Sequence, residues 1–266
     1  MREVLYGVSS AGMAVLLLAL VLLTVEVGFR VGRRQHGSVD DSVKDQTKAI
    51  DASILGLLSL LLGFTFTMAL QHFDARHDAM VKEANAVGTA FTRAALLPAP
   101  HDQNAAQLLR NYLDQRLLAG EVDLAQSHPF AQLAEKTSSL QRGLWSEVVA
   151  AARKDPGPVT TGLFAQSVND LMDAQVERNA ALERHVPEYI IVLLMVVATA
   201  GTLITGYSSG LTGRQRPAWA IGGLAIAIAL VVFMIADLDR PRRGLIHVGQ
   251  TELLELKAGV EHGPAR

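Results

Sequence analysis

Apolar residues gather into four blocks along the chain, separated by stretches rich in charged and amide side chains. A helix rising about 1.5 Å per residue needs roughly 20 mostly apolar residues to cross the hydrocarbon core of a bilayer. The first block runs from about Val4 to Val25 through AVLLLALVLLTV. The second spans Ala52 to Leu70 without a charge, the third Tyr189 to Tyr207 and the fourth Ala218 to Ala236. Tyr6, Phe29, Tyr189, Tyr207 and Trp219 stand at block ends, as expected at headgroup depth, and Arg30, Arg33, Arg34, Arg214, Arg216 and Arg240 follow closely. The pattern predicts four membrane-spanning helices. Read as a signal peptide, the first block lacks a small-x-small cleavage site and runs on into Glu26 and Arg30, so it is expected to remain as a span.

From Gln71 the sequence turns polar without a breaker, which predicts that the second span continues as one helix into water as far as Leu97, where Pro98 and Pro100 stop it. Further helices are expected from Asp102 to Ala119, closed by Gly120, and from Pro129 to about Arg153, with Ser127 as a candidate cap. Asp155 to Pro158 reads DPGP, a turn. Thr160 or Thr161 then caps a helix on which Phe164, Val168, Leu171, Met172, Gln175 and Leu182 form a stripe, better suited to a packed core than to a cofactor face. Pro187 marks the start of the third span. No stretch alternates as a strand would. The expected fold is all-α: a four-helix transmembrane bundle whose long helices extend into a helical, water-exposed domain. Residues 1–70 hold the first two transmembrane helices and their loop, 71–187 the helical soluble domain, 188–237 the last two transmembrane helices and 238–266 a C-terminal tail.

Charge and composition narrow the chemistry. A net charge of −2 over 266 residues, with no basic stripe interleaved with aromatics, argues against nucleic acid as a partner. The absence of cysteine excludes disulfides, thiolate metal sites and cysteine nucleophiles. Gly206-Tyr207-Ser208-Ser209-Gly210 matches G-x-S-x-G, but that motif works only at a strained strand-to-helix turn with His and Asp partners. Here it follows a membrane block and reads as a small-residue membrane turn. No H-E-x-x-H, phosphate loop or dinucleotide fingerprint occurs, so neither an enzyme nor a cofactor is expected. The eight histidines are scattered. His72 and His77 lie five apart, off a common helical face, so no metal site is expected; Asp74, Asp78 and Lys82 at i,i+4 spacing read as solvated charges. In the last block Gly223 with Ala227, and Ala225 with Ala229, either allow close helix approach or reflect the usual abundance of small residues in membrane helices. Basic residues near the membrane are too evenly divided between the two sides to orient the chain.

The second block is the most informative. Gly56, Leu60, Phe64 and Thr67 lie three or four apart, on one helical face. Around a symmetric pore, rings of Leu60 and Phe64 would form an apolar constriction able to gate by dewetting. Beyond it, His72 and Arg76 would form a vestibule that concentrates anions. Leucine and phenylalanine are ordinary in any membrane helix, so a lipid-facing stripe is the competing reading.

Leu62-Gly63-Phe64-Thr65-Phe66-Thr67, followed by Gln71-His72-Phe73-Asp74-Ala75-Arg76, resembles the second membrane helix of the bestrophins. From about Leu55 to its end the chain is similar to the bacterial bestrophin-like membrane family, on Glu83-Ala84-Asn85-Ala86, Arg93, Leu97-Pro98, then Asn169, Asp173 and Arg178 ahead of Pro187, and Leu238-Asp239-Arg240-Pro241-Arg242-Arg243-Gly244 after the last block. The resemblance implies a homopentamer of four-span subunits around the second helix that passes anions, mainly chloride. It implies a cytoplasmic helical domain and termini, hence a place in the bacterial inner membrane. Glu83, Asn85, Arg93, Asn169, Asp173, Arg178, Asp239, Arg240, Pro241 and Gly244 are then expected to be structural. Two departures stand out. Gly56 replaces a bulky neck residue, and the acidic run that binds calcium in eukaryotic bestrophins is missing, Asp237 and Asp239 being a poor substitute. The alternative to a channel is a non-conducting membrane scaffold or sensor whose helical domain binds a protein partner.

Overall fold

The structure is a computed structural model describing residues 9–121, 127–212, 218–240, 246 and 248–262. The described residues form α1 (Ser10–Gln35), α2 (Asp41–Ala94), α3 (His101–Glu121), α4 (Ser127–Lys154), α5 (Thr161–Glu183), α6 (Glu188–Leu211), α7 (Ala218–Leu238) and α8 (Thr251–His262), with no strand among them. The all-α expectation holds. Four helices, α1, α2, α6 and α7, carry stretches long and apolar enough to cross a membrane.

Several boundaries moved, each for a local reason. The Ser9 hydroxyl accepts the Gly12 N–H at 3.0 Å and caps α1, which then runs ten residues beyond Val25. Helix α2 contains no proline over 54 residues and ends at Ala94, ahead of Pro98. Thr160 stands at the N-cap of α5 but makes no cap bond. Its hydroxyl is taken by the Asp155 carboxylate, which also accepts the Gly157 N–H and so closes the DPGP turn. Within the C-terminal tail, Thr251–His262 form α8. Gly206 to Gly210 is not a turn either: it lies inside α6.

The chain divides into two compact units. The first takes Met1–His72, His185–Arg240 and Gly244–Ile246. Its core joins Leu17 and Val21 of α1, Leu58 of α2, Leu194 and Ala198 of α6, and Ala225, Ile228 and Val232 of α7. The closest approach is between α1 and α6. A Cβ built on Gly28 would fall 2.0 Å from the Leu203 carbonyl oxygen, and one on Gly32 2.2 Å from that of Tyr207. Reciprocally, a Cβ on Gly206 would meet the Val25 oxygen at 2.2 Å and one on Gly210 the Phe29 oxygen at 2.5 Å. Lipid tails are as apolar as leucine, so membrane helices associate by such close packing rather than by hydrophobic exclusion. Polar contacts reinforce the pair: the Thr24 and Thr202 hydroxyls lie 2.9 Å apart and the Tyr207 hydroxyl donates to Gln35 at 2.7 Å. In α7 only half of the small-residue expectation is realised. Ala225 and Ala229 are buried, whereas a Cβ on Gly222 or Gly223 would meet nothing within 4 Å.

The second unit takes Phe73–Arg184, Pro241–Arg243 and His247–Arg266. Val87, Ala90 and Ala94 of α2 pack with Leu109 and Tyr112 of α3, Leu144 and Val148 of α4, and Phe164, Val168 and Leu171 of α5. The α5 stripe is a packed core. Leu253 of α8 fills a second cluster with Met80, Ala84 and Leu113, and Lys257 pairs with Asp114 at 2.7 Å.

Replacing Gly206 by valine forces a side chain against the α1 backbone. The expected cost is about 3 kcal/mol or more, at the upper end for overpacking, seen as loss of monodisperse protein in detergent gel filtration. Gly222→Ala, at an open position, should leave the elution profile unchanged.

Candidate functional site

The second helix presents two faces within the first unit. Leu58, Thr65 and Ala69 are buried, while Gly56, Leu60, Phe64 and Thr67 are all exposed on the chain, Leu60 to 54% and Phe64 to 65%. Nothing lies within 4 Å of a Cβ built on Gly56 or Gly63. The Thr67 hydroxyl donates to the Gly63 carbonyl at 2.9 Å, folding its polar group back onto the helix. The four residues singled out by spacing thus share one face that the chain itself leaves uncovered.

The basic residues expected beyond that stripe behave differently. Arg76 is 2% exposed, and its guanidinium donates to the carbonyls of Ala181 and Arg184, at 3.3 and 2.6 Å. These bonds answer carbonyls left open at the end of α5. His72 belongs to the first unit and is half-buried. Its Nδ1 lies 3.6 Å from the Asp239 carboxylate and has no hydrogen-bond partner among the described residues.

Two constellations emerge around residues of the family pattern. At the end of α7, the Asp239 carboxylate accepts the Val186 N–H at 2.8 Å, and its main-chain oxygen lies 3.2 Å from His185 Nδ1. Asp237, two residues earlier, accepts the Ser10 hydroxyl at 3.0 Å and the Ile246 N–H at 2.9 Å. Asp237, Asp239 and Arg240 are all buried. Pro241 and Gly244 lie outside the described residues.

In the second unit, Glu83 is wholly buried and receives four donors. The Tyr112 hydroxyl reaches Oε1 at 2.7 Å, Arg116 reaches both oxygens at 2.6 and 3.2 Å, and Arg178 reaches Oε2 at 2.6 Å. Burial pushes the Glu83 carboxyl up, but the two guanidiniums outweigh it and hold it below the ordinary glutamate value. Burial, then the Glu83 charge, pushes the Tyr112 hydroxyl well above the usual tyrosine value. The family resemblance brought Glu83 and Arg178 to notice but not Tyr112 and Arg116, whose i,i+4 relation on α3 was the available signal. The Arg93 guanidinium donates to the Leu163 carbonyl at 3.1 Å. Asn85, Asn169 and Asp173 are exposed and lie outside the Glu83 network. No three His, Asp or Glu residues among those described converge as a metal site would require.

The profile of the Bestrophin-like domain matches residues 15–253. Crystal structures of mutants of a bacterial Bestrophin homolog from Klebsiella pneumoniae superpose on the chain. One has a TM-score of 0.66 at 14% identity, covering 93% of this chain and all of that one. Another has a TM-score of 0.64 at 13% identity, covering 90% and 98%. No curated protein sequence matches the chain.

Glu83→Gln leaves two buried guanidiniums without a counter-charge and should cost roughly 3–5 kcal/mol, read as a lower denaturation midpoint. Because the folded carboxyl is held below its unfolded value, its stabilisation is complete above the unfolded value and is lost as pH falls through the folded one. Acid unfolding curves of the variant should therefore lack the steep limb below about pH 4.5. Arg76→Glu sets a carboxylate against the Ala181 and Arg184 carbonyls, and a marked drop in melting temperature is expected.

Proposed function

The chain belongs to the bestrophin-like family, and on that premise we propose that copies of it assemble around a pore, lined by the second membrane helix, that passes anions such as chloride. The observation that carries this reading is the open face of α2. Gly56, Leu60, Phe64 and Thr67 are turned away from the chain's own core, and two of them are bulky apolar side chains. A closed ring of such faces encloses a passage. Leu60 and Phe64 then form stacked apolar rings too narrow and too dry to hold a continuous water column unless they widen. Gly56 leaves the mouth on its side broad.

Bestrophins are anion channels, and the family resemblance supplies chloride as the ion and five as the copy number. It also supplies the orientation, with the helical unit and both termini on the cytoplasmic side of a bacterial inner membrane. Arg76 takes no part in the vestibule in this reading, because its guanidinium already serves backbone carbonyls. His72 is the remaining candidate beyond the stripe. The residues around Glu83 hold the helical unit together and do not touch the ion path.

Purified protein in liposomes should release trapped chloride, and Phe64→Ala should raise the rate several-fold by shrinking the apolar ring, whereas Val159→Ala, at an exposed position in the second unit, should not. Mass determination in detergent should give a ring of five. Tight vesicles with correctly inserted protein would defeat the channel reading and leave the non-conducting scaffold in its place.

A further inference from the structure

Three membrane helices come together at one carboxylate, α2 in mid-course, α6 at its start and α7 at its end. His72 on α2, His185 and Val186 ahead of α6, and Asp239 after α7 all belong to the first unit and meet at the Asp239 side chain and main-chain oxygen. The Val186 N–H satisfies Asp239 Oδ1 at 2.8 Å, and His185 Nδ1 lies 3.9 Å from Oδ2. His72 is the unfinished contact. Its Nδ1 is buried, has no hydrogen-bond partner among the described residues, and stops 3.6 Å from Oδ1.

We propose that His72 and Asp239 form a proton-operated catch between the second membrane helix, just past its apolar stretch, and the end of the fourth. A neutral imidazole turns either a lone pair or a distant N–H toward the carboxylate, and at 3.6 Å neither makes a good hydrogen bond. Taking one proton from water makes both ring nitrogens donors and adds a full charge beside a buried carboxylate, which draws the pair to charge-assisted hydrogen-bond distance. Returning the proton to water opens it again. Imidazole is the side chain suited to this, since it changes charge within the physiological range.

The other charged and polar groups there are already engaged. Asp237 holds the Ser10 hydroxyl and the Ile246 N–H. Arg240 is buried, and with Glu188 and Asp239 it lines a cavity of about 10 Å³, room for one water. The catch goes beyond conduction, because it concerns how the helices are held whether or not ions pass.

The chain has no cysteine, so a single Gln71→Cys, exposed beside His72, can carry a bimane label alone. The labelled full-length protein in lipid nanodiscs should shift its emission as pH is taken from about 8 to about 5.5. The shift should be lost in His72→Gln and also in Asp239→Asn, which keeps an oxygen for the Val186 N–H but not the charge. It should persist in His77→Gln, at an exposed histidine on the same helix. Asp239→Asn separates the catch from a label that merely senses the His72 charge. No shift in the unsubstituted protein, or a shift that survives either of the first two substitutions, overturns the proposal. Should Asp239→Asn not fold, nitrogen-15 spectra of histidine-labelled protein in lipid decide. A carboxylate-bonded imidazolium that appears on acidification and is missing from His72→Gln sustains the catch, and its absence ends it.

Discussion

Backbone meets backbone where α1 crosses α6, and the rest of the membrane-spanning unit is arranged around that contact. In water, burial of leucine and valine would suffice to hold two helices together. In lipid it would not, because the alternative to a protein neighbour is an equally apolar acyl chain. Association then depends on how closely helices can come, and Gly28, Gly32, Gly206 and Gly210 remove every side chain that would keep these two apart. The hydroxyl pair of Thr24 and Thr202 lies on the same seam. Once α1 and α6 are locked, α7 packs through Ala225, Ile228 and Val232, and α2 joins through Leu58.

The second unit solves the opposite problem. Its core is conventional, built from small and branched apolar side chains on α2 to α5, yet at its centre sits a carboxylate with two guanidiniums and a phenol. Burying those groups costs free energy that apolar residues of the same volume would not demand. What they contribute is register. Glu83 accepts from α3 and α5 at once, and a slip of one turn in any of the three helices would strand a charge. The same helix that carries Glu83 carries the open stripe at Leu60 and Phe64, with no proline between them.

Most of the architecture was legible because its causes are local. Runs of about 20 apolar residues, the Pro98 and Pro187 breaks and the DPGP turn each act through their own backbone, so periodicity and breakers sufficed for seven of the eight helices. Helix α8 escaped notice because its stability is tertiary: twelve residues with one fully buried leucine form a helix where Met80, Ala84 and Leu113 receive it. The G-x-S-x-G match misled in the other direction. Its glycines were read as a turn because their use depends on Val25 and Phe29, some 180 residues away. Arg76 was expected beyond the stripe from its place along α2; that its guanidinium donates to the carbonyls of Ala181 and Arg184, over a hundred residues on, is not something spacing along one helix can disclose. Spacing could put Gly56, Leu60, Phe64 and Thr67 on one face. It could not tell whether anything covered that face.

The glycines of the first unit fall into two populations. Among those described, Gly28, Gly32, Gly206 and Gly210 are taken up by the seam of α1 and α6 and a Cβ on Gly201 would meet Ile54, whereas Gly56 and Gly63 on α2, and Gly222 and Gly223 on α7, stand open. Beside Gly63, Leu62 and Phe66 face Leu230, Val231 and Met234 across an apolar cleft of about 490 Å³. The seam between α1 and α6 is therefore closed to visitors. The room left for close approach to this unit's spans lies, among the described glycines, on the second and fourth.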